Sequence, residues 1–105
     1  MFSGGEYEEV ARWLRNFVAS HAKRENLRAE PVVDTEGARE GQSFGVRLRL
    51  GGGLSPAPPA PPLELGFPEV AQNRGSLAWC AALAARVRAL ARALPAAGSG
   101  PLRTA

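Results

Sequence analysis

The sequence predicts an α+β domain: a two-layer α-β-β-β-α sandwich, with a three-stranded antiparallel sheet and two helices packed on one of its faces. Three observations carry that expectation. A start signal followed by a three-and-four apolar repeat opens the chain, strict apolar alternation marks its middle, and a leucine stripe marks its last third. The chain has 105 residues, 45% of them hydrophobic and 22% charged. That is the size of one domain and the composition of a globular one. A single domain is expected over 1–97, with a tail over 98–105.

The first element is a helix over about 4–24. Ser3 and Glu6 have the spacing of a capping box, and Phe2 and Tyr7 that of a hydrophobic staple. Tyr7, Val10, Leu14, Phe17 and His21 then share one face. Glutamates lie near the start, and Lys23 and Arg24 near the end, as the helix dipole favours.

The middle reads as strands. Leu27–Glu36 is rich in Val and Thr, and Pro31 within it predicts an edge strand or a bulge. A glycine-bracketed turn over 37–42 follows. Phe44, Val46, Leu48 and Leu50 alternate with Gly45, Arg47 and Arg49, so one face is expected buried and the other wet. Leu63, Leu65 and Phe67 give a short third strand, whose Glu64 is expected across from Arg47 or Arg49. Between these strands, residues 54–62 hold five prolines, which predicts a stiff connector near polyproline II. The Pro-x-x-Pro spacings there also suit an SH3-type groove, but no Lys or Arg lies close enough to orient such a ligand.

The last helix starts at Ser76. Its core stripe is Leu83, Val87, Leu90 and Leu94, extended by Cys80 and flanked by Trp79. Beside it runs a second stripe of small residues: Ala78, Ala82, Ala85, Ala89 and Ala93. Small side chains let another backbone approach closely, so this stripe is the candidate interface for a second copy or a protein partner.

Chemistry is sparse. One cysteine, one histidine and one aspartate exclude an internal disulfide and leave little for a metal. His21 lies on an apolar face, where a core histidine bonded to a carbonyl is expected. Cys80 lies on a core stripe. Gly51–Gly53 is not followed by the Lys and Ser/Thr of a phosphate loop. No cofactor and no catalysis are expected. No apolar run reaches about 18 residues, so no membrane-spanning helix is expected. The first residues show no basic and apolar blocks, which predicts no secretion signal and a cytoplasmic protein.

Net charge is +3, concentrated in residues 68–105, which hold five basic groups and one acidic. Twelve arginines against one lysine, with abundant Ala, Gly and Pro and no isoleucine, match the codon usage of a GC-rich bacterial genome. Arginine is therefore discounted as a signal of nucleic-acid binding. The element order is similar to that of the double-stranded-RNA-binding domain. The positions of that family's basic cluster read Gly75-Ser76-Leu77-Ala78-Trp79 here, so the likeness is one of topology alone. Two functional expectations result. The first is a small, self-associating interaction module without catalysis. The alternative is a nucleic-acid (RNA) binder using Arg47, Arg49, Arg74, Arg86, Arg88 and Arg92.

Overall fold

The computed structural model describes the backbone of residues 3–94 and the side chains of residues 6–94. The capping box and staple expected at Ser3 and Phe2, and the tail over 98–105, lie outside them. The fold is α+β, as the periodicities predict. Helix α1 (Ser3–Glu25) leads to strands β1 (Glu30–Asp34), β2 (Ser43–Leu50), β3 (Gly53–Ser55) and β4 (Leu63–Gly66), then to helices α2 (Phe67–Asn73) and α3 (Leu77–Arg92).

The sheet is antiparallel with β2 at its centre. β1 pairs along one side, from Glu30 opposite Arg49 to Asp34 opposite Gly45. Both β3 and β4 pair along the other side. Leu50 meets Gly53 at one end of β2, and Ser43 meets Gly66 at the other. The expected third strand at Leu63 is β4, an additional short strand, β3, shares the same side of β2 with it, and the count of three strands is corrected to four. The physical reason lies in the prolines. Residues between β3 and β4 cannot donate to a ladder at their proline positions, so the edge breaks and loops outward.

The path of that loop departs from the polyproline II course expected of residues 54–62. Leu54 and Ser55 belong to β3, and the remainder folds into a turn in which the Ala60 N–H donates to the Ala57 carbonyl at 3.0 Å. The Ser55–Pro56 and Pro58–Pro59 peptide bonds are cis. Arg47 reaches across from β2 and donates to the Pro56 carbonyl, tying the loop to the sheet.

A second correction concerns Phe67, expected in a strand. Its N–H still bonds the Gln42 carbonyl at 2.9 Å, yet it opens α2, a helix absent from the expected order. Pro68 in the first turn is the local reason, since a proline there loses no helical hydrogen bond and presets φ. α3 begins as expected, with the Ser76 hydroxyl accepting from the Trp79 N–H at 3.2 Å.

One cluster of buried side chains joins these elements. Val10, Leu14 and Val18 of α1 meet Phe44, Val46 and Leu48 of β2, Leu65, Val70, and Leu83 and Val87 of α3, all with 2% exposure or less. The helices thus lie over the face of β2 that alternation assigned to the core. Tyr7 ties the layers together. Its ring stacks on Phe44 at 4.8 Å and meets the edge of Phe67 at 5.3 Å, and its hydroxyl donates to the Ser43 carbonyl. Among the described residues, no helix is long and apolar enough to cross a membrane.

Candidate functional site

The candidate residues lie on two of the surfaces left by this packing: the outer face of α3 and the face of the sheet away from the helices. On α3, Leu83, Ala84, Val87, Ala91 and Leu94 are buried, which fixes the helix's rotation. Leu90 and Cys80 are half-buried at the margins of this face, with the Cys80 thiol 3.5 Å from the Arg74 carbonyl. Ala78, Ala82, Ala85, Ala89 and Ala93 consequently face outward, and every one of them is exposed. At the start of the same helix Leu77 is 88% exposed, which is unusual for so large an apolar side chain.

The six candidate arginines do not come together. Arg47 and Arg49 project from β2 on the open side of the sheet, whereas Arg86, Arg88 and Arg92 belong to the helical layer. Most are engaged within the chain. Arg49 pairs with Glu30 at 3.0 Å, directly across the strands. Glu25, at the end of α1, accepts from Arg88 at 3.0 Å and lies 3.6 Å from Arg92. The charge that sequence concentrates in the last third is thus partly neutralised by an acid from the first helix.

His21 does not take the carbonyl bond expected of it among the described residues. It sits half-buried at the rim of the core, its ring 4.5 Å from Phe17, which in turn stacks 5.1 Å from Trp13. Burial, then the nearby Arg24 and Arg88 guanidinium groups, hold its pKa below the ordinary 6.5.

The open side of the sheet carries a cluster that sequence reading misses. Arg39, at the end of a 3-10 turn over Gly37–Arg39, lies back across the sheet. Glu64 of β4 grips it with two bonds, Nε to Oε2 at 3.0 Å and Nη2 to Oε1 at 2.8 Å. Asp34 of β1 takes Nη1 at 2.9 Å, and the Ser43 hydroxyl donates to Glu64 at 3.0 Å. Glu64 therefore sits opposite Gly45 and binds Arg39, correcting the expected pairing with Arg47 or Arg49. Gly45 makes this possible. A Cβ at that position would stand 2.6 to 2.9 Å from Nε, Cζ and Nη2 of Arg39, closer than any real contact. The one available signal was that lone glycine inside a strand, which marks a site of close approach. The Arg39 bonds hold the Glu64 carboxyl below its ordinary pKa.

Both shifts act in the same direction on stability. A histidine whose folded pKa is lowered takes up a proton more readily when unfolded, so stability falls as pH drops below about 6.5. The Glu64 contribution is present above about 4.5 and is lost as pH falls through its lowered folded value. Urea midpoints are expected to fall between pH 7.5 and 5.5, and His21→Gln is expected to abolish most of that dependence. An unchanged slope in the variant would assign the effect to other groups.

No family model, curated protein or solved structure matches this chain. Among the described residues, no cluster of three or more His, Cys, Asp or Glu side chains is arranged to hold a metal ion.

Proposed function

We propose that this chain is a small interaction module that associates with a second copy of itself through the outer face of α3, presenting surface and performing no catalysis of its own. The observation that carries this reading is the exposed strip of small side chains formed by Ala78, Ala82, Ala85, Ala89 and Ala93 along one face of α3. Apolar surface of this continuity on a monomer commonly marks a contact site. The strip is also self-complementary. About a twofold axis near Ala85, Ala82 of one copy falls opposite Ala89 of the other, and Ala78 opposite Ala93, which is the condition for an isologous interface.

The other common route to association is poorly supported. One sheet edge contains Pro31, and the other is broken by the proline loop between β3 and β4. Both devices discourage edge-to-edge pairing. The nucleic-acid alternative is also weaker, because Arg49, Arg88 and Arg92 are paired with acids and the candidate arginines occupy two layers.

A helix of 16 residues is about 24 Å long, so a contact confined to α3 lies at the small end of specific interfaces. Association in the micromolar range is expected. Ala85→Arg or Ala89→Arg is expected to yield a folded monomer, since arginine is nearly as good a helix former as alanine while its bulk blocks close approach of the helices, and in Ala85→Arg two guanidinium groups would also meet at the axis. Sedimentation velocity on the wild type and both variants decides the matter. Wild-type protein that is monomeric at tens of micromolar overturns the reading. Binding of duplex RNA that weakens steeply with salt, and less steeply in Arg88→Ala, would favour the alternative instead.

A further inference from the structure

The side of the sheet away from the helices is concave. It holds an open hollow of about 620 Å³ between the 3-10 turn and the proline loop, lined by Arg39, Gly45, Arg47, Val32, Leu54 and Pro62, with Asp34 and Glu36 at one end. Sites for small ligands fall in this range of size, roughly 300–1,000 Å³. From the groups that line it, we infer that this hollow binds a small planar aromatic acid, with the ring stacked on the Arg39 guanidinium and the acid group paired with Arg47.

Arg39 supplies the platform. Its edges are occupied by Glu64 and Asp34, which lie to either side of it on the strands flanking β2. Its underside rests on Gly45, where no side chain intervenes. What remains is the outer face of a planar cation, and that face cannot donate hydrogen bonds and is weakly hydrated. Such faces attract aromatic rings through electrostatics and stacking. The bonds that clamp the guanidinium also pre-pay the entropy of holding it flat, so a ring meets a platform already in place.

Arg47 supplies the charge partner. Arg39 and Arg49 on this face each have a carboxylate within 3.0 Å. Arg47, among the described residues, has no carboxylate in ion-pair range and uses one nitrogen on the Pro56 carbonyl. Its remaining donors are available to an anion. Gly45 and Arg47 lie two residues apart on the same face of β2, a rise of about 7 Å, which suits a ring joined to its carboxylate by a short stem. Val32, opposite Arg47, and Leu54, opposite Arg49, give aliphatic sides to the hollow. Asp34 and Glu36 at the other end repel an anion, so the charge pattern admits one orientation.

The probe is indole-3-acetate, titrated into ¹⁵N-labelled full-length protein and followed by amide chemical shifts. Saturable shifts are expected at Val32, Gly45, Arg47 and Leu54, with a Kd on the order of 1 mM, as suits a ligand of this size. Indole alone and acetate alone are each expected to bind about tenfold more weakly. Arg47→Gln removes the charge partner, and Arg39→Lys keeps a cation but removes the planar face; each is expected to weaken binding about tenfold. Should Arg39→Lys fail to fold, Arg47→Gln with an otherwise unchanged spectrum decides the question. The Ala85→Arg monomer is expected to bind normally, because α3 lies on the opposite layer. Shifts that never saturate, that centre on other residues, or that persist undiminished in Arg47→Gln overturn the inference.

Discussion

Val87→Asp and Leu83→Asp are expected to leave the domain largely unfolded at room temperature. Both side chains are 2% exposed or less and contact the central cluster from α3. Each substitution forfeits the burial of a branched aliphatic side chain, about 1.5–3 kcal/mol. It also places a carboxylate in a region where a buried charge must either find a partner or be protonated. Among the described residues no basic side chain belongs to that cluster, so neither escape is cheap. A total above about 4 kcal/mol is comparable with the whole stability of a small domain, about 5–15 kcal/mol. Circular dichroism melts of either variant should show little cooperative transition. Ala81→Asp, on the exposed side of the same helix but off the alanine stripe, serves as the control and should melt within a few degrees of wild type. Equal effects in all three variants would mean that helix propensity matters here more than burial.

Phe44→Ala is expected to cost about 3–5 kcal/mol, the usual range for removing a buried phenylalanine. Phe44 is fully buried near the start of β2 and has two aromatic neighbours. It stacks on Tyr7 with ring centroids 4.8 Å apart and meets Phe67 edge-on at 6.3 Å. Stacking of this kind adds about 0.5–1.5 kcal/mol beyond area burial. The loss should propagate to the candidate ligand site. Tyr7 bonds the carbonyl of Ser43 and lies 3.1 Å from that of Arg39, so it seats the turn that delivers the guanidinium. The urea midpoint should fall steeply in Phe44→Ala and much less in Phe44→Leu. A cost below about 1 kcal/mol would show that the surrounding aromatic rings close over the space.

What sequence alone determined about this protein follows from short-range chemistry. Alternation over Phe44–Leu50 assigned the buried face of β2 correctly, because side chains on a strand alternate with period two whatever the surroundings. The three-and-four repeats of α1 and α3 located their core faces for the same reason, and Ser76 located the start of α3 through its own hydroxyl. The exposure of the alanine stripe follows from the leucine stripe beside it, since one helix cannot bury both sides against one sheet.

Tertiary structure decided the rest, and each case involves partners distant in sequence. Glu64 lies 25 residues from Arg39, and Glu25 lies 63 from Arg88, so no local pattern announces either pairing. The additional strand β3 depends on how β2 offers one edge to two segments at once. The flattening of Arg39 over Gly45 requires an absence, the missing Cβ, to be aligned with a turn six residues earlier and with carboxylates on two neighbouring strands. Spacing along a chain determines which side chains share a face. Which faces meet depends on how a sheet closes, because pairing register and loop reach are properties of the folded whole.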